Sequence, residues 1–230
     1  MKSEAKTPPI VVIGGANMDL SGQAAVAMRS GDSLPGTVRA SAGGVGRNIA
    51  EALARLGRLT KLIAALGDDG FAEDIVRQTS VAGVDLRATL RVPEQTTSTY
   101  LSVLDSAGEM QLAINDMDLV NALTPKVLAE RMRDLEDAKA WVVDANLSED
   151  ALAFIFSNTQ SNIPVFAEPV SVTKAVKLLP WLSRVTLLKP NRIEAAALTG
   201  RSEDSPVEDL SRALHDLGVK RVVISQGRDG

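Results

Sequence analysis

The chain has 230 residues, a formal net charge of −4 and 45% hydrophobic residues, so it is long enough to bury a substantial core. Because it has no cysteine and a single histidine, His215, the composition excludes disulfides, thiolate nucleophiles, iron–sulfur clusters and multi-histidine metal sites. The acidic balance disfavours a broad surface for binding nucleic acid. The apolar runs fall far short of the roughly 20 residues that cross a bilayer. We therefore expect a cytoplasmic protein with neither a nucleic-acid nor a membrane partner.

Short strands and helices alternate along most of the chain. Continuous apolar runs predict buried strands at 9–15, 61–67, 139–145, 163–169, 184–190 and 220–227. Apolar residues at helical spacing predict helices at 46–56, 69–82, 125–136, 148–157, 191–199 and 206–217. This alternation predicts an α/β fold, in which helices cover both faces of a mostly parallel sheet.

Two regions interrupt the alternation of strands and helices. Residues 33–41 and 96–114 alternate polar and apolar side chains with no helix between them, and "DSAG" at 105–108 resembles a hairpin turn. We therefore expect antiparallel strands outside the main sheet.

Three glycines stand directly before a predicted helix in "SAGGVGRNIAEALARLG", residues 41–57. The stretch lacks the third glycine of a dinucleotide fingerprint, and no Walker A pattern occurs in the sequence. Its spacing, from Gly43–Ala50 to Gly57 and on to Gly67, resembles the first signature of the PfkB (ribokinase-like) carbohydrate kinases. Further stretches resemble that family in the expected order: "GGANMDL" (14–20), "DANLSEDAL" (144–152), "EPVS" (168–171) and "LKPNRIEA" (188–195).

The resemblance covers residues 9–230 and implies a ribokinase-like three-layer αβα sandwich. The family carries a small antiparallel β lid, which would be formed here by insertions at about 20–41 and 96–116. It also implies ATP and Mg²⁺ as cofactors, with a monovalent cation such as K⁺ as a further candidate, and a small-molecule sugar or nucleoside as substrate. Lid-mediated dimers are common in the family, so a homodimer is expected.

The resemblance assigns a substrate site to the first half of the chain. Family members grip the ribose hydroxyls with residues that match Asp19, Gly44 and Asn48, with Gly43 and Asn17 beside them. We expect the bare glycine backbone to let a ligand approach main-chain N–H groups. The hairpin residues near the base would be Ser98, Tyr100, Asn115 and Asp116. Two structural alternatives remain: an Asx turn explains Asn17 and Asp19, and cross-strand packing explains Tyr100.

A nucleotide site is implied for the second half. The matching residues are Lys189, Asn191, Ser225, Gly227 and Gly230, with Glu194 and Glu168 near Mg²⁺ through water. Asn191 and Glu194 also have the spacing of a helix capping box, and Glu168 replaces the aspartate that is common in the family. Asp144 and Asn146 follow a strand, at the edge of a parallel sheet that usually faces the ligand. His215 is expected to be a helix surface residue without a chemical role.

Within the family, residues 98–118 most resemble the hairpin of pseudouridine kinases, which transfer the γ-phosphate of ATP to the ribose 5′-hydroxyl. The alternatives are another kinase of the family, acting on ribose, adenosine or a hexose, and a noncatalytic nucleoside-binding protein. The family's Gly-Ala-Gly-Asp motif, which supplies the catalytic base, has no match in the sequence. We therefore identify no catalytic residue, expect the base beyond Gly230 in a chain that is C-terminally incomplete, and expect the chain as written to be a poor catalyst.

Overall fold

The fold was analysed in a computed structural model, which describes residues 7–133, 135 and 138–230. The strands are β1 (Ile10–Ile13), β2 (Asn17–Ala24), β3 (Gly36–Gly43), β4 (Thr60–Ile63), β5 (Ala65–Leu66), β6 (Leu90–Arg91), β7 (Thr99–Leu104), β8 (Met110–Asp116), β9 (Ala140–Asp144), β10 (Val165–Glu168) and β11 (Leu187–Leu188). The α-helices are α1 (Val45–Arg55), α2 (Gly70–Val81), α3 (Pro125–Met132), α4 (Glu149–Asn158), α5 (Val172–Ala175), α6 (Arg192–Thr199) and α7 (Val207–Asp216). Short 3₁₀ helices cover Asp118–Ala122, Val176–Arg184 and Gly227–Asp229.

The main sheet is parallel throughout, in the order β11-β10-β9-β1-β4, which confirms the predicted α/β fold. The chain leaves β1 toward β4 on one side and later returns to β9 on the other. The strand order therefore reverses between β1 and β9. In open parallel sheets, a crevice opens at the carboxyl ends of the strands at such a point.

Alternate residues of the main sheet enter two separate hydrophobic cores. Val11 and Ile13 belong to the core under α3, α4, α6 and α7. Val12 faces the other core, which also contains Ala50 of α1 and Ile75 of α2. The period of two along β1 thus explains why a continuous apolar strand is buried on both faces.

A second, small sheet has the order β3-β2-β7-β8. Its β2–β3 and β7–β8 pairs are antiparallel, as expected, whereas β2 and β7 are parallel. The two strands run the same way because both begin beside the main sheet, where the Met18 N–H donates to the Ser98 carbonyl. We refer to these four strands as the small sheet.

Some predicted elements differ in the structure. The predicted strand at 220–227 is reduced to two isolated bridges, Leu188 to Val222 and Asn191 to Ser225. The helix predicted at 125–136 ends at Met132, with positions 134 and 136 outside the described residues. Val176–Arg184, for which no helix was predicted, is a 3₁₀ helix containing Pro180, which cannot donate a helical hydrogen bond. Within the described ranges, no helix has the length and apolarity needed to span a membrane.

Candidate functional site

A cleft of about 610 Å³ lies between the carboxyl edge of the main sheet and the small sheet. Six of the residues predicted to bind substrate line it together: Asn17, Asp19, Gly44, Asn48, Tyr100 and Asn115. They come from three separate parts of the sequence. The fold therefore brings the glycine stretch and the hairpin to one place.

The register of the small sheet explains why three of these side chains meet. Asp19 of β2 lies opposite Tyr100 of β7, and Tyr100 lies opposite Asn115 of β8. Residues in register on neighbouring strands share a face, so all three project toward the cleft. Asn17 reaches the same place from the start of β2, where its side-chain amide donates to Asp19 Oδ1 over 2.6 Å.

Three other residues predicted to bind substrate lie outside the cleft lining. Ser98 is buried, and its carbonyl accepts the Met18 N–H. Asp116 follows Asn115 directly in β8, so it lies on the opposite face of the small sheet. Gly43 lies beneath the carboxylate of Asp19.

The protein's own packing requires Gly43 and Gly44 to lack a Cβ. This is a different reason from the one expected from the sequence, which was to let a ligand approach the backbone. A Cβ on Gly43 would lie 2.1 Å from Asp19 Oδ2, and one on Gly44 would lie 2.5 Å from the Gly15 carbonyl oxygen. Gly44 also has φ of 95°, a conformation that other residues rarely adopt. The segment Gly14–Ala16 and the Asp19 carboxylate thus occupy the space that side chains would take.

Asp144, at the end of β9, ties this packing together. It is 1% exposed, and its carboxylate accepts the N–H groups of Gly15 at 2.8 Å and Asn146 at 2.9 Å. Burial raises the pKa of Asp144, and these backbone hydrogen bonds oppose the rise. Asp144 therefore fixes the loop after β1 and does not line the cleft, whereas Asn146 does.

Four residues that the sequence analysis did not single out as ligands form the wall opposite the small sheet: Val170, Ser171, Thr173 and Lys174. Val170 has φ of 71°, and the Ser171 N–H donates to the Pro169 carbonyl over 2.8 Å, so Val170 is the centre of a γ-turn. Positive φ is strained for a β-branched residue. The turn directs α5 to the cleft, where Lys174 Nζ donates to Asn146 Oδ1 over 2.6 Å. The stretch "EPVS" (168–171), which resembles the family, contains this turn. Lys174 lies outside every stretch that resembles the family.

The residues predicted to bind nucleotide lie at a neighbouring edge of the main sheet. Lys189 Nζ lies 3.2 Å from Glu168 Oε2. Burial raises the pKa of Glu168, Lys189 opposes the rise, and the nearby Glu194 carboxylate adds to it. Asn191 and Glu194 form the predicted capping box, with hydrogen bonds of 2.8 and 2.9 Å. Glu194 is therefore held as a helix cap and is 4% exposed.

The C-terminal residues complete this edge. Ser225 bridges to Asn191, and its N–H donates to the Pro190 carbonyl over 3.0 Å. Gly227 and Gly230 both have positive φ, and the Gly230 carbonyl accepts the Gln226 N–H. Three separate segments thus converge here, around Glu168, Lys189 with Asn191, and Ser225.

Comparison with known proteins gives consistent results. Residues 8–230 match the family described as pfkB family carbohydrate kinase. The chain is 43% identical to a pseudouridine kinase of Escherichia coli over 96% of this chain and 71% of that protein. It is 31% identical to a pseudouridine kinase of Arabidopsis thaliana over 96% of this chain and 63% of that protein.

A solved structure described as a carbohydrate kinase from Agrobacterium tumefaciens superposes with a TM-score of 0.84 and 31% identity, covering 95% of this chain and 71% of that one. The match to the family spans nearly all the described residues, and the fold agrees with it. The chain therefore belongs to the PfkB family of carbohydrate kinases, as its glycine signature indicated.

Proposed function

We propose that the protein is a pseudouridine kinase, which transfers the γ-phosphate of ATP to the ribose 5′-hydroxyl of pseudouridine. One observation carries the proposal: Asn17 and Asp19 at the start of β2 and Asn48 of α1 share a single cleft with the hairpin residues Tyr100 of β7 and Asn115 of β8. A nucleoside needs such a divided site, with one part for its sugar and one for its base. The two pseudouridine kinases named above support the choice of base.

In this proposal the sugar lies between the start of β2 and the first turn of α1. Asp19 accepts from a ribose hydroxyl and Asn48 donates to one, while Asn17 holds Asp19 in place. The uracil edge lies between Asn115 on the small sheet and Lys174 on the opposite wall, both of which line the cleft. Pseudouracil has two N–H donors and two carbonyl acceptors, so it suits an amide on one side and an ammonium on the other.

ATP would bind along the edge formed by Lys189, Asn191 and Ser225, with Mg²⁺ near Glu168 and Glu194. In the described residues, no three Asp, Glu or His side chains form a group that could hold a metal ion. The two carboxylates of Glu168 and Glu194 nevertheless fit Mg²⁺, because this ion commonly keeps several waters and takes only one or two carboxylates besides phosphate oxygens. Bound Mg²⁺ would neutralise charge on the phosphates, while Lys189 supplies a further cation. We assign binding roles to the described residues and a catalytic role to none of them.

A substrate panel tests the proposed function. The protein is assayed with ATP and Mg²⁺ against pseudouridine, uridine, adenosine, D-ribose and a hexose, and its binding of pseudouridine is measured by calorimetry. We expect kcat/KM for pseudouridine to exceed the others. A preference for another acceptor would make it a different kinase of the family, and binding without turnover would favour a nucleoside-binding protein. Comparing turnover in KCl and tetramethylammonium chloride tests the expected monovalent cation.

We also infer that the small sheet joins two copies of the chain. On the face that points away from the cleft, Val38, Leu101, Leu112 and Ile114 are exposed by 37–80%. Neighbours in register, Leu101 opposite Ile114 and Val103 opposite Leu112, make this a continuous apolar surface. Such a surface on one side of a small sheet suits a twofold contact with its own copy.

Leu112→Glu tests this homodimer, because a charge in the middle of the apolar face is costly to bury. We expect light scattering to show a dimer for the wild type and a monomer for the variant. Val81→Glu is the matched control, since Val81 is 85% exposed at the end of α2. A monomeric wild type, or a dimer unaffected by Leu112→Glu, would contradict the inference.

A further inference from the structure

Arg47, inside the glycine signature, is a buried cation that donates a hydrogen bond to Asn48, a residue of the cleft. It is 5% exposed, although its neighbour Asn48 is exposed to the cleft. Its Nη2 donates to Asn48 Oδ1 over 2.5 Å, and its Nε donates to the Gly43 carbonyl over 3.1 Å. Thr79, fully buried in α2, accepts weakly from Nη1 at 3.4 Å.

A carboxylate balances the charge of Arg47. Glu51 Oε2 lies 2.5 Å from Arg47 Nη1, and Arg55 Nη2 lies 2.6 Å from the other oxygen of Glu51. Burial raises the pKa of Glu51, but hydrogen bonds from Arg55 and Arg47 outweigh it, so the pKa lies below its usual value. Glu51 is therefore ionised at neutral pH and fixes the guanidinium from the side away from Asn48.

The guanidinium determines which way the Asn48 amide points. Arginine has five donors and no acceptor, so only the carbonyl oxygen of Asn48 can face it. The Asn48 NH₂ group is then the end left for the cleft. Asn48 alone could present either a donor or an acceptor; beside Arg47 it can present only a donor.

We propose that Arg47 is a positioning residue, which makes Asn48 a fixed hydrogen-bond donor to the substrate. The cleft then offers a donor at Asn48 and an acceptor at Asp19. A hydroxyl can satisfy both, because it accepts and donates, whereas an ether or a carbonyl oxygen can satisfy only one. The inference rests on the proposed function to the extent that Asn48 contacts the sugar.

A double-mutant cycle on pseudouridine binding tests this role. Calorimetry is done on wild type, Arg47→Met, Asn48→Ala and the double variant. If Arg47 acts through Asn48, each single change weakens binding about tenfold, and the double variant binds no worse than either single variant. Losses that multiply to about a hundredfold, or an unchanged affinity in Arg47→Met, would overturn the proposal.

Two further variants separate positioning from folding. Arg55→Met removes the other cation bound to Glu51 and should leave the affinity unchanged. Arg47→Lys keeps the charge beside Glu51 but loses the planar fork, so it should weaken binding about as much as Arg47→Met while unfolding close to the wild-type temperature. If Arg47→Lys binds like wild type, the planar fork is not what holds the Asn48 amide, and the role proposed for the guanidinium is wrong.

NMR of the Asn48 side chain gives a readout that needs no ligand. Relaxation of its NH₂ group should show an ordered amide in wild type and in Arg55→Met, and a mobile one in Arg47→Met. An amide that is mobile in wild type would refute the proposal. If pseudouridine fails to bind wild type but the amide is ordered only when Arg47 is present, the proposed function fails and Arg47 keeps its role; the cycle is then repeated with D-ribose.

Discussion

The packed segments beneath the cleft and the small sheet beside it are built in opposite ways. We call Gly14–Ala16, Gly43–Gly46 and Asp144 the floor. Most of the floor is buried, and its parts meet at distances that leave no room for a Cβ. The small sheet, by contrast, exposes most of β3 and β8, and its strands are held chiefly by hydrogen bonds to one another.

This difference indicates a division of labour within the site. A floor fixed by close packing can hold a sugar in one orientation, which phosphoryl transfer requires. Elements with few buried apolar contacts open locally at a low free-energy cost, and substrate-binding lids are of this kind. We therefore expect changes in the floor to act on stability, and changes in the small sheet to act on binding.

The largest effect is expected in the floor, from Gly14→Ala. The new Cβ would lie 2.3 Å from Asp144 Oδ2 and 2.5 Å from its Cγ, and the backbone N–H of Gly15 holds that carboxylate in place. Overpacking of this kind costs about 2–3 kcal/mol, which urea unfolding would measure.

Gly70→Ala is the matched control for that change. Gly70 is the first residue of α2, and apart from its chain neighbours and the backbone of its own helix no described atom lies within 4 Å of its added Cβ. Alanine favours a helix over glycine, so stability should be unchanged or slightly higher. If Gly14→Ala behaved like this control, the floor would be more adaptable than its distances indicate.

Asp144 should give the floor a distinctive pH dependence. Burial raises its folded-state pKa above the ordinary value of 3.8, so the folded state binds this proton more tightly than the unfolded state does. Its contribution to stability is then fully present below about pH 4 and is lost as the pH rises through the folded-state pKa. Asp144→Asn cannot titrate. Urea unfolding from pH 4 to pH 7 should therefore show wild type losing stability relative to Asp144→Asn; a gain would contradict the assignment.

On the small sheet, Asn115→Ala should change binding and spare stability. Asn115 is exposed on β8 and lines the cleft. Loss of one hydrogen bond to the base should weaken pseudouridine binding about tenfold, with no change in the unfolding temperature. Gln111→Ala, on the same strand but beyond the cleft, should bind normally. An unchanged affinity for Asn115→Ala would remove this residue from the base site.

The floor was the more predictable region from sequence. The spacing from Gly43 to Gly67 and the apolar runs identify the family, the parallel sheet and most helices, because each depends on local patterns. The physical reason for the glycines could not be read in the same way. It depends on Asp19 and Gly15, whose approach to Gly43 and Gly44 is set by the folded structure.

Residues that depend on tertiary contacts were missed. Lys174 carries no motif and reaches the cleft only because the γ-turn at Val170 directs α5 there. Arg47 stood within the matched signature, but a sequence gives no sign that its guanidinium is buried against Asn48. The parallel pairing of β2 with β7 was missed for a similar reason, since it follows from how both strands leave the main sheet.

The smallest effect on the free energy of unfolding is expected at the far end of the small sheet, from Asp105→Ala. Asp105 Oδ1 accepts the N–H groups of Ala107 at 2.9 Å and Glu109 at 3.0 Å, which holds the turn between β7 and β8. If the small sheet opens independently of the floor, hydrogen exchange at Glu109 should become faster while exchange at Gly15 stays unchanged. The free energy of unfolding should fall by about 0.5 kcal/mol or less.

Asp32→Ala is the control, because the Asp32 carboxylate accepts only the neighbouring Ser33 N–H among the described groups. It should leave hydrogen exchange at both Glu109 and Gly15 unchanged. Faster exchange at both Glu109 and Gly15 would mean that the small sheet and the floor unfold as one unit, because an opening that starts at the turn would then have to break the floor as well.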